Sequence, residues 1–221
     1  LNNKQHDRSD KTVLGHTANL DAPGLVDVLL AQPASPRFVA GRLWSRLVGG
    51  TPDDATLERL VAGYGPSRDV RGLLRAIAAH PGFRDPANTV VKQPVEWAVG
   101  LMRALRIRPS ALSEDDRTKL LTGLRGMGQI PFLPPSVGGW PSGPAWLTTS
   151  AALARLHLAQ LLAGRADLAA LSGGDAVGAV GEVLGVDRWT ERTRAALGTV
   201  AGQPAQLAAV AAVAPEYVVS G

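Results

Sequence analysis

His6 and Asp7 stand side by side near the start of the chain, with Lys11 and His16 close behind. An adjacent His-Asp pair offers two ligands of the kind that hold a metal in phosphohydrolases built on helical folds. That chemistry needs further His or Asp ligands on other helices, and none stands at useful spacing. The plainer reading makes His6 a loop residue and Asp7 the cap of a turn, so no metal site is assigned. Lys92 and Glu96 form a second group, in Lys92-Gln-Pro-Val-Glu96. Glu96 falls in the first turn of an expected helix, where the helix dipole favours a carboxylate. A chemical reading would join Lys92 and Glu96 to His6 and Asp7 as the polar centre of a hydrolase or lyase acting on a cell-envelope or polysaccharide substrate.

The third group lies in a stretch rich in helix breakers. Ten of the nineteen residues from Gly126 to Pro144 are Gly or Pro, a density through which no helix runs. The stretch is not a polar linker, because it carries Ile130, Phe132, Leu133, Val137, Trp140 and, just beyond, Trp146. Apolar residues among breakers predict a long loop pinned to a core by its own side chains. Trp140 and Trp146 either stack on a ligand or anchor the loop, each indole N–H then finding a carbonyl. Ser136 and Ser142 lack the Gly-x-Ser-x-Gly context of a hydrolase elbow. His157 shares a face with Leu153 and Leu161, the setting of a hydrogen-bonded core or boundary residue. No Gly-x-x-x-x-Gly-Lys occurs, and Gly126-Met-Gly128 follows a helix rather than a strand, so no nucleotide-cofactor motif is present. No cofactor is assigned.

The elements that must position these groups are helices. Apolar residues recur at i, i+3, i+4 and i+7 through most of the chain, and no alternating stretch of five residues marks a strand. Asp21, Asp53 or Asp54, Asp69 and Ser113 open helices as caps, and Ser35-Pro36 and Pro94 mark two further helix starts. Expected inward faces include Leu25, Val28 and Leu29; Val39, Leu43 and Leu47; Val70, Leu73, Leu74 and Ile77; Ala98, Leu101, Met102 and Leu105; and Leu153, Leu156, Leu161 and Leu162. Helices are also expected near 175–184, 188–197 and 204–213. The fold class is all-α: a polar arm or loop over 1–20, then a helical domain over 21–221, a single compact array of about nine or ten helices with one long Gly/Pro/Trp-rich loop.

Composition bounds the rest. No apolar window approaches the ~18 residues of a membrane span. With no cysteine, disulfides and thiolate chemistry are excluded. The net charge is +4, and 15 of the 23 Lys and Arg residues precede position 111. They are spaced singly along helices, as on a solvated face, which does not favour nucleic acid as a partner. Leu1-Asn2-Asn3-Lys4 reads like the interior of a protein, so a secretion signal upstream is compatible with this chain.

Several segments together resemble a bacterial family known as domain of unknown function 1800, in its C-terminal half. His6-Asp7 with Lys11 and Leu14-Gly15, Phe38-Val39-Ala40 with Leu43, and Phe83 followed by Lys92, Pro94 and Glu96 match family patterns. The most specific match runs from Gly128-Gln129 through Pro134-Pro135, Val137 and Gly139-Trp140-Pro141 to Trp146-Leu147, and Ala214-Pro215-Glu216-Tyr217 resembles the family's terminal signature. The resemblance implies an exported, extracytoplasmic protein and a sulfatase-like exported partner. It also implies a helical N-terminal half that packs on this chain, and it carries no activity. Lys11, Gln129, Trp140 and Trp146 are the residues expected to contact a protein partner in binding or assembly.

Overall fold

The computed structural model describes residues 5–220. The fold is all-α. Among the described residues there are eleven α-helices, with four short 3-10 turns and two antiparallel two-stranded ribbons. The helices divide into a first unit ending at Asn88 and a second, Thr89–Ser220.

The first unit begins with a hairpin. Lys11–Val13 (β1) pairs with His16–Ala18 (β2), Lys11 opposite Ala18, and the hydroxyls of Thr12 and Thr17 meet across the strands at 2.8 Å. Strands of three residues are too short to show alternation in a sequence. Four helices follow: Ala22–Ala31 (α1), Ala34–Leu47 (α2), Asp54–Tyr64 (α3) and Val70–Ala79 (α4). Asp21, Asp53 and Asp69 cap α1, α3 and α4 with their carboxylates, as their sequence positions predict. The start of α2 differs, since Pro33 holds the cap position that Ser35 was expected to fill.

The core of this unit is Ala40, Trp44, Val48, Leu60, Tyr64, Leu73 and Ile77. On α2 the buried stripe is therefore one residue on from the expected Val39, Leu43 and Leu47. Trp44 offers the largest apolar surface on a helix whose apolar face is broad, and it turns the helix towards the core. Its ring meets the His80 ring edge-on, with centroids 4.9 Å apart. The same kind of rotation leaves Leu25, Leu29, Val70 and Leu74 exposed, while Val28, Leu73 and Ile77 are buried. α3 and α4 touch backbone to backbone. A Cβ on Gly72 would lie 2.4 Å from the Gly63 carbonyl oxygen, and one on Gly63 would lie 2.7 Å from the Ala76 Cβ.

The second unit is tied at its ends by Val90–Val91 (β3) pairing with Val219–Ser220 (β4). Between them run Pro94–Ala104 (α5), Glu114–Gly126 (α6), Thr149–Ala163 (α7), Ala176–Leu184 (α8), Glu191–Gly198 (α9), Pro204–Ala212 (α10) and Pro215–Val218 (α11). α7 packs between α6 and α10. The small side chains of α10 allow close approach: Leu207, Ala208, Ala209, Ala211 and Ala212 are all buried. Trp97 is fully buried and donates its indole N–H to the Ala212 carbonyl at 2.8 Å. α9 begins three residues later than expected, because Thr190 caps it and Trp189 is spent in the core, bonded to the Val177 carbonyl. On α7 the expected Leu153 is exposed, and the buried stripe is Ala151, Arg155, Leu158, Ala159, Leu162 and Ala163.

Close contact between α3 and α4 is open to a direct test. Gly72→Ala forces the helices apart and should cost about 1–3 kcal/mol in a urea denaturation curve. Gly198→Ala, whose Cβ would meet nothing within 4 Å, should be neutral or slightly stabilising in the same assay.

Candidate functional site

The arm residues commit to one another locally. Asp7 accepts hydrogen bonds from the Ser9 backbone N–H at 2.9 Å and from its hydroxyl at 2.8 Å. Those bonds, the backbone one first, hold its carboxyl below the usual carboxylate range. The Lys11 ammonium donates to the carbonyls of Asp7 and Ser9. Asp7 and Lys11 thus close the turn that leads into β1, with His6 half-buried beside them and His16 exposed on β2. Among the described residues, no three His, Asp or Glu side chains gather as a metal site.

In the second unit, residues far apart in sequence meet at the first turn of α5. Lys92 follows β3, and its backbone N–H donates to the Val218 carbonyl at 3.0 Å. Its ammonium sits 3.9 Å from the centre of the Tyr217 ring, a cation–π contact. Burial pushes the Lys92 pKa down, and the charge of Glu96 partly restores it. Burial also pushes the Tyr217 phenol well above its usual range. Glu96 is exposed, and its carboxylate accepts from the Gln93 N–H at 3.3 Å.

Gln129 completes this turn. Its side-chain oxygen accepts from the Val95 N–H at 2.9 Å, and its amide nitrogen donates to the Gln93 side chain at 3.0 Å. The Glu96 N–H is taken by the Gln93 side chain, and Pro94 has no N–H to offer. The donors that an α-helix leaves unpaired at its start are therefore all answered from within the chain. Gln129 is only 5% exposed, so the residue expected to contact a partner is instead the bolt between α5 and the loop.

The loop leaves α6 through Gly128 (φ 90°), and the Gln129 N–H bonds the Leu124 carbonyl at 3.0 Å. It returns through a 3-10 turn, Gly143–Trp146, beside β3 and the cap residue Thr148. Trp146 is buried, and its carbonyl accepts from Arg155 Nη1 at 2.9 Å. The tip differs from the expectation of a loop pinned by its apolar side chains. Ile130 and Trp140 are half-buried, but Phe132, Leu133 and Val137 are 97%, 65% and 112% exposed. Phe132 also takes a left-handed backbone conformation, φ 64°, uncommon for a bulky residue outside a turn. Neither the Trp140 nor the Trp146 indole N–H finds the expected carbonyl.

Three features escaped the sequence. Asp116, whose backbone N–H donates to the Ser113 hydroxyl at 3.1 Å, turns its carboxylate to Arg165 and accepts both arms of its guanidinium, at 2.8 and 3.0 Å. These bonds hold the Asp116 carboxyl below its usual range. The pair edges a cleft of about 760 Å³ that Arg106, Arg108 and Leu171 also line. Arg155, an arginine inside an apolar stripe, carries no sequence cue because its one protein partner is a backbone carbonyl. His157 is exposed rather than at the core, beside a smaller groove between α6 and α7.

A family model described as a protein of unknown function (DUF1800) matches residues 1–219, nearly the whole chain. No curated protein matches the chain, and no solved structure does. No described helix is long and apolar enough to cross a membrane.

The role of Gln129 can be measured. Gln129→Ala leaves the Val95 N–H without an acceptor in a buried setting and should cost about 1–3 kcal/mol of stability in denaturant unfolding. Glu96→Gln, at an exposed position, should cost less than about 1 kcal/mol in the same measurement.

Proposed function

The chain belongs to the DUF1800 family, and from that premise and the geometry of the 128–147 segment we propose that it is a binding or assembly module without catalytic activity of its own. One observation carries this reading. Phe132, Leu133 and Val137 are held out into solvent on a loop whose two ends are fixed to the helical core by Gln129 and Trp146. Exposed apolar side chains are ordinary when scattered singly, whereas three on one anchored tip mark a surface built to be covered. Anchoring the base pre-pays the ordering that a flexible loop would lose on binding.

The partner is a protein surface with an apolar pocket. By family resemblance this is a sulfatase-like exported protein, and the same resemblance supports an extracytoplasmic setting. A helical segment preceding this chain in the same polypeptide is the other occupant the resemblance implies. The rival reading, a hydrolase or lyase using His6, Asp7, Lys92 and Glu96, has less behind it. Asp7 and Glu96 already hold backbone N–H groups.

Replacing Phe132, Leu133 and Val137 together by Ser should leave the melting temperature within about 2 °C, because these side chains touch little in the free chain. Co-purification with a co-expressed sulfatase-like partner should fall at least about tenfold. Equal capture by wild type and variant would remove the basis of this reading.

A further inference from the structure

We propose that Arg155 is the centre of a second, unrelated site, one that takes a small carboxylate on the open edge of its guanidinium. Arg155 sits mid-helix on α7 and is 2% exposed. Nη1 is spent on the Trp146 carbonyl at 2.9 Å. Nε and Nη2 are enclosed and have no hydrogen-bond partner among the described residues. The ion pairs found there join Arg37 to Asp54, Lys119 to Asp115 and Arg165 to Asp116, and none involves Arg155. Burial pushes its pKa down, yet a guanidinium keeps its proton in proteins. Among the described residues this enclosed positive charge has no counter-charge, which costs far more than one hydrogen bond returns.

The shape of the open edge selects the ligand. Nε and Nη2 are the two atoms through which Arg165 grips Asp116, at 2.8 and 3.0 Å. That edge offers two parallel donors to two coplanar oxygens, the geometry of a carboxylate. A water can accept from both donors, but it is neutral and leaves the charge standing. Both open atoms are donors, and an ionised carboxylate, which only accepts, is their complement. The open edge has no surface exposure, so the ligand is small and reaches it when the Trp146 turn lifts. Gly143, at φ 63°, gives that turn its freedom at one end.

Thermal melting of the full chain tests this at matched ionic strength, with acetate and malonate as probes and chloride and phosphate as controls. The wild type should show a saturable rise in melting temperature with the carboxylates. Arg155→Met, which fills the space without charge and gives up the bond to the Trp146 carbonyl, should fold and show no rise with carboxylate over its own ligand-free melting temperature. Arg155→Lys keeps the charge but loses the two-armed edge, and should need at least about tenfold more malonate. An equal rise in Arg155→Met, or no rise in wild type beyond chloride, overturns the site. An equal response to phosphate, or a response to triglutamate alone, overturns the assignment to a small carboxylate.

Discussion

An α-helix cannot pair its own first N–H groups, and when the helix starts inside a core those groups must be answered by something else. In the second unit this constraint falls on α5. Pro94 removes one donor, Gln93 and Glu96 answer each other, and the Val95 N–H is left for Gln129. Gln129 is itself buried, 5% exposed, so that bond is made away from the surface. Gln129 stands at the point where α6 ends and the long loop begins. A single carboxamide therefore sets where the loop leaves the core, and Trp146 sets where it comes back.

With both ends placed, the middle of the loop is free to be apolar without being buried. Breakers and apolar residues in one segment suggest a loop pinned along its length, yet the pins stand at its ends. Four of the side chains between them, Ile130, Trp140, Leu133 and Phe132, run from half-buried to wholly exposed. Leaving the tip uncovered is a cost that a purely structural loop would have no reason to carry, and this is the ground on which binding is proposed for it.

Caps were the most legible part of the sequence. Asp21, Asp53, Asp69 and Ser113 each bond an N–H two or three residues ahead, so the rule that finds them is local. Helix rotation was much less legible. On α2 seven apolar residues spread over a wide face, and only the bulk of Trp44 decides which of them turn inward. On α7 the buried Arg155 could not be read, since its partner is a carbonyl and carbonyls occur everywhere. The same holds for Asp116, where a local cap motif and a long-range pairing with Arg165 compete for one side chain and the charged pairing wins. α11, at four residues, is shorter than any period can register. Of the residues expected at a binding surface, Gln129 and Trp146 proved to be fastenings, and the side chains offered to solvent are those of the tip.

Hydrogen exchange along residues 124–149 tests this account most directly, because it reads order at each amide. A loop fastened at its ends and open at its tip predicts slow exchange at the Val95, Gln129 and Leu147 amides, each hydrogen-bonded within 3.0 Å, and fast exchange at the exposed amides of Phe132, Ser136 and Val137. Uniformly fast exchange from Gln129 to Leu147 would contradict it, since the segment would then be an unanchored linker and its exposed apolar residues would present no ordered surface.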